Sequence, residues 1–107
     1  MKYITRQEEF VLLAVGQLKE KAYLVEVGKL LSKITGKNWS ISSVYVPLDK
    51  LEKTGYLSSR IGEPTARRGG KAIKYYSLTR EGKMALTEVK AVHDAFWKKN
   101  PDFIFEN

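Results

Sequence analysis

Apolar positions along this chain recur with a helical period in four stretches and gather into two short strand-like runs between the third and the fourth. The first run, Phe10 to Val15, follows Thr5-Arg6-Gln7-Glu8. This is a capping-box pattern, in which Thr5 accepts from the backbone N–H of Glu8 while Glu8 reaches back. A helix from about Thr5 to Lys19 is predicted. Leu24, Val27, Leu31 and Ile34 then recur at spacings of three, four and three, so one stripe of a second helix, Ala22 to Thr35, turns inward until Gly36 ends it. In the third, Val44, Leu48 and Leu51 share a face. That puts Ser42, Val46, Asp49, Lys50 and Lys53 on the opposite side, with Tyr45 on a flank.

Pro47 is awkward there, because a proline beyond the first turn removes a donor and crowds the preceding turn. Either the helix begins near Tyr45, or it begins at a serine cap (Ser40 or Ser42) and tolerates a local distortion; the second is preferred. Leu57 to Glu63 and Ile73 to Leu78 are the plausible strands, joined by Pro64 to Gly70, whose Gly69-Gly70 permits positive φ. Thr79 caps a last helix, in which Ala85, Val89, Val92 and Phe96 form an a/d-type seam at spacings of four, three and four. Pro101 stops that helix and leaves an apolar tail, Phe103-Ile104-Phe105.

Charge sharpens this pattern. The 107 residues carry 19 Lys and Arg against 12 Asp and Glu, a formal net charge of +7. The excess is local: from Thr65 to Arg80 there are five basic residues and no acid. A helix with a small, polar or basic outer face followed by a basic hairpin suits double-stranded DNA, the helix entering the major groove and the hairpin tracking the backbone. On that reading Ser42, Ser43, Tyr45 and Lys50 meet phosphates or base edges. Arg67, Arg68, Lys71 and Lys74 then supply most of the salt-dependent affinity. Plainer roles stand beside these: capping for the serines, packing against the hairpin for Tyr45, solvation for Lys53, packing for Trp39.

Other classes of function find little support. There is no cysteine and one histidine, His93, so neither a disulfide framework nor a metal cluster is expected. No nucleophile constellation, phosphate-cradling glycine loop or cofactor motif is present. Paired acids such as Glu8-Glu9 read as helix capping and surface balance. No apolar run is long enough for a membrane span, and the expected setting is the cytoplasm.

Ser43-Val44-Tyr45-Val46-Pro47-Leu48, Leu51-Glu52-Lys53-Thr54-Gly55, Gly62-Glu63, Arg68-Gly69-Gly70-Lys71, Lys74 to Thr79 and Glu81-Gly82 together resemble the PadR family of transcriptional regulators, over about residues 8 to 90. The resemblance implies an α+β winged helix-turn-helix, with three helices and a two-stranded wing over residues 1–79. Residues 80–107 would supply a single C-terminal dimerisation helix and a tail. It further implies a non-enzymatic, homodimeric repressor bound to operator DNA and released by an effector. Ala85, Val89, Val92 and Phe96 would form the dimer interface, and Val92, His93, Phe96 and Trp97 a pocket for a planar aromatic or phenolic molecule. The plain reading of those aromatics is core or interface, and that of His93 an exposed or interfacial residue. The rival to the whole account is a winged-helix protein-interaction module, which would present an exposed apolar patch where a DNA reader gathers its cations.

Overall fold

The computed structural model describes residues 3–62 and 72–100. Three of the expected DNA contacts (Arg67, Arg68 and Lys71), the Gly69-Gly70 turn and the Phe103-Ile104-Phe105 tail lie outside the described residues. The rest is an α+β arrangement of α1 (Arg6–Leu18), a 3₁₀ turn (Lys19–Lys21), α2 (Leu24–Thr35), α3 (Ile41–Lys53), an antiparallel hairpin of β1 (Leu57–Ile61) and β2 (Lys74–Leu78), and α4 (Arg80–Lys98).

Local chemistry explains the starts of α1, α3 and α4. The Thr5 Oγ1 accepts from the Glu8 N–H at 3.0 Å and the Thr5 N–H donates to Glu8 Oε1 at 2.8 Å, a complete capping box. Ser40 caps α3 by accepting from the Ser43 N–H at 3.2 Å, and the Ser43 hydroxyl donates to the Ser40 carbonyl at 2.7 Å. Ser40, rather than Ser42, is thus the cap, and α3 runs unbroken through Pro47. Gly55 closes α3 with φ 89°, a conformation costly for any residue with a Cβ, and lets the Tyr56 N–H reach the Leu51 carbonyl at 2.9 Å. Thr79 Oγ1 accepts from the Gly82 N–H at 3.0 Å and donates to the Gly55 carbonyl at 2.6 Å, fastening the start of α4 to the end of α3.

The core lies where α1, α2, α3 and the hairpin converge. Val11, Leu12, Val27, Leu48, Leu51 and Leu57 are among its fully enclosed side chains, and Tyr76 closes it from β2. Leu57 pairs with Leu78 and Ile61 with Lys74. Since alternate residues share a face, Ser59, Ile61, Lys74, Tyr76 and Leu78 lie on one side of the hairpin.

Three expectations need correction. Helix α2 starts at Leu24, not Ala22, because Tyr23 is extended and the backbones of Ala22 and Tyr23 pair with the hairpin. The Tyr76 N–H donates to the Ala22 carbonyl at 2.8 Å, and Tyr23 forms a bridge with Tyr75. Ile34, expected in the inward stripe, is 66% exposed; α2 buries Val27 and Leu31 and packs Leu24 and Leu30 against the core, and its last turn lies beyond it. Ala85, expected in the intermolecular seam, is buried within the chain's own body.

Candidate nucleic-acid interface

Helix α3 turns Val44, Leu48 and Leu51 into the core, which forces Ser42, Ser43, Tyr45 and Val46 outward. Tyr45 is about half exposed and Ile41 and Val46 are largely so. The outer face therefore mixes hydroxyls with aliphatic surface, more apolar than the sequence suggests. In a major groove such aliphatic groups suit thymine methyls.

The cations of this face are already engaged. Lys50 Nζ lies 2.8 Å from Glu8 Oε2, Lys53 Nζ 2.8 Å from Asp49 Oδ2, and Lys74 Nζ 2.7 Å from Glu52 Oε1. Glu52 also accepts from the Ser59 hydroxyl, so one carboxylate on α3 is shared between β1 and β2. Lys74 sits in addition 5.4 Å from the centre of the Tyr76 ring. These contacts set the ionisation. Lys74 and Ser59 hold the Glu52 carboxyl below the usual carboxylate range, and Glu52 in turn holds the Lys74 ammonium above its ordinary value. Burial pushes the Glu8 carboxyl up, but the hydrogen bonds from Lys50 and Thr5 outweigh it and the net shift is downward.

The structure thus brings Ser42, Ser43, Tyr45, Lys50 and Lys74 onto α3 and the adjoining hairpin, with Lys50 and Lys74 each paired to an acid. The sequence reading missed those acids, Glu8 and Glu52. Their partners lie 42 and 22 residues away along the chain, and no local pattern marks such a pairing. Arg60 was also missed; its guanidinium stacks 4.6 Å from the Tyr75 ring, itself edge-on to Tyr23 at 5.5 Å.

The residues expected to hold an effector lie along the outer half of α4. His93 Nε2 is 3.3 Å from Glu9 Oε1 and links α4 to α1. Val92, Phe96 and Trp97 are 38%, 69% and 46% exposed. A groove of about 1080 Å³ is walled by Phe10, Leu13, Leu30, Ile34, Trp39 and Leu86, with none of those α4 residues among its walls. Among the described residues no group of His, Cys, Asp or Glu is placed to hold a metal, and no helix is long and apolar enough to cross a membrane.

A model of the transcriptional regulator PadR-like family matches residues 11–88. Solved structures agree in fold. A PadR family transcriptional regulator from Eggerthella lenta DSM 2243 is 28% identical with a TM-score of 0.70, covering 95% of this chain and 87% of its own. A Streptococcus transcriptional regulator is 29% identical with a TM-score of 0.69, covering 88% and 87%. A PadR family transcription regulator from Clostridium difficile R20291 is 25% identical with a TM-score of 0.63, covering 92% and 98%. A comparison with curated proteins gave no match.

Proposed function

The chain belongs to the PadR-like family of transcriptional regulators, and we propose that it acts as a cytoplasmic, homodimeric repressor that grips operator DNA with α3 and the wing. Residues 1–79 form the DNA-binding unit in this reading, and residues 80–107 the dimerisation helix and tail. The observation that carries it is the outward face of α3. Ser42, Ser43 and Tyr45 stand exposed there beside a hairpin whose two strands are joined by a stretch of sequence in which the run from Thr65 to Lys71 carries Arg67, Arg68 and Lys71 and no acid. Hydroxyls and an aromatic edge offer base and phosphate contacts, and the three cations supply the counterion release that dominates affinity.

Two linked half-sites require two linked α3 helices. The apolar stripe of α4 that the chain leaves uncovered, Val92 and Phe96 with half-buried Val89 beside them, supports dimerisation there. An aromatic or phenolic effector fits best between two such helices, against Val92, His93, Phe96 and Trp97, where binding would bias the separation of the two wings. A ligand shifts that separation only by its preference for one arrangement, so DNA and effector must weaken each other equally.

Exposed Ile41 and Val46 give the protein-interaction reading a foothold on this face. Fluorescence anisotropy with duplex DNA across a salt series tests the choice. With about three phosphate contacts per subunit, affinity should fall by roughly a thousandfold between 50 and 200 mM salt. Arg67→Ala/Arg68→Ala should flatten that dependence. Binding that ignores salt, or survives loss of both arginines unchanged, would refute the proposal.

A further inference from the structure

The cations of α3 and β2 closest to the proposed DNA face are each satisfied by an acid of the same chain, and one of these pairs differs from the others. Lys53 and Asp49 are neighbours on one exposed helix face, a pairing of little consequence. Lys50 and Glu8 join α3 to the start of α1. Glu52, however, leaves α3 to meet both strands of the wing, Ser59 on β1 and Lys74 on β2. Ser59 faces Tyr76 in the register, and Lys74 is two residues from Tyr76, so the two partners of Glu52 are diagonal neighbours on the hairpin face turned toward α3. The Lys74 ammonium is further confined over the Tyr76 ring.

We propose that Glu52 sets specificity: it clasps the wing root to α3 through Ser59 and Lys74, and by occupying Lys74 it withholds one cation per subunit from the DNA backbone. This rests on the DNA-binding reading above. For Lys74 to reach a phosphate it must abandon a carboxylate, leaving that carboxylate beside a polyanion. The exchange releases no net charge, so Lys74 adds rigidity in place of sequence-independent attraction. A fixed angle between helix and wing favours the site whose backbone matches it, whereas a freed lysine would favour any duplex.

The test uses the full-length protein and mixed-sequence duplex DNA. Glu52→Gln keeps an acceptor for Ser59 but releases Lys74, so the slope of log affinity against log salt should steepen by about 0.9 per subunit; from 50 to 200 mM salt the variant should lose about 3.5-fold more affinity per subunit than the parent. Adding Lys74→Met should cancel that extra slope. In the free protein, Glu52→Gln should speed amide exchange at Gly62, whose N–H donates to the Ile73 carbonyl at 2.7 Å just beyond the clasp. A Glu52→Gln protein with the parental slope, or a double variant whose slope falls below the parental one by about 0.9 per subunit, would show Lys74 already on phosphate and overturn the inference. Unchanged exchange at Gly62 overturns the clasp. A parent protein that binds no DNA refutes the DNA-binding reading instead, and the exchange measurement then decides the clasp alone.

Discussion

Replacing Glu8 by Gln should destabilise the protein near neutral pH and have little effect in acid. Glu8 is only 7% exposed, accepts the Thr5 N–H at 2.8 Å and holds Lys50 at 2.8 Å from the third position of α1. A glutamine keeps an oxygen for the Thr5 N–H but loses the charge. The loss has two parts: the attraction of a carboxylate for the N-terminal end of a helix, about 0.3–1 kcal/mol, and the ion pair with Lys50. That pair is discounted to about 0.5–1 kcal/mol, since the lysine side chain is 62% exposed and screened by solvent.

Together these come to about 1–2 kcal/mol, or a Tm lower by roughly 5–15 °C for a domain of this size. The sign with pH follows from the depressed carboxyl. A group whose folded pKa lies below its unfolded value stabilises fully above the unfolded value, about 4.3 for Glu, and loses that contribution as pH falls through the folded one. Urea melts of both proteins at a fixed concentration, between about pH 7 and pH 3, should therefore show a gap that closes in acid. A gap of equal size at both ends would mean that Glu8 acts by shape rather than charge, and no gap at neutral pH would mean that neither the helix terminus nor the pair with Lys50 gains from its charge.

Gly82→Ala should cost more than about 2 kcal/mol by urea melt, because a Cβ there would collide with the Tyr56 backbone carbonyl, which cannot swing aside; near-parental stability would refute the close seating of α4. Lys19→Gly should stabilise by about 0.5–1 kcal/mol, since Lys19 has φ 54° and ψ −118°, a conformation glycine adopts at far lower cost; a loss of stability in the same melt would show that the Lys19 side chain makes a compensating contact.

The features legible in the sequence are those decided within a turn or two of chain. Thr5 with Glu8, Ser40 as one of two named caps, Gly36 and Thr79 all mark ends that the backbone's own orphan donors and acceptors dictate. The α+β winged architecture followed from their order. What escaped depends on docking. Ala22 and Tyr23 share a helical hydrophobic period with α2, yet the edge of β2 offers their backbone a ladder, and the ladder wins. Ile34 keeps the same period but overshoots the core. Lys50 and Lys74 look like free cations until α1 and α3 bring Glu8 and Glu52 against them. Charge counted along a chain is thus an upper bound on charge offered to a partner, and the run from Thr65 to Lys71, free of acids in the sequence, carries the remainder of the proposed site.

The proposed dimer offers the sharpest remaining test, because two-fold symmetry would double every contact. In a two-fold interface each side chain is buried twice, so a single substitution acts at two places. Phe96 is 69% exposed in one chain. Burying such a side chain contributes about 1.5–3 kcal/mol, so Phe96→Ala removes about 3–6 kcal/mol from the pair and raises its dissociation constant roughly 10²- to 10⁴-fold. Little of that loss should appear in the stability of the isolated chain, whose core the residue does not enter. Sedimentation across a concentration series reads the change directly, and affinity for a two-half-site duplex should fall with it as the second α3 loses its tether. A Phe96→Ala protein that pairs as tightly as the parent would place the interface elsewhere, and the groove beside Leu13 and Ile34, whose walls include Phe10 and Trp39, is then the apolar surface left to account for.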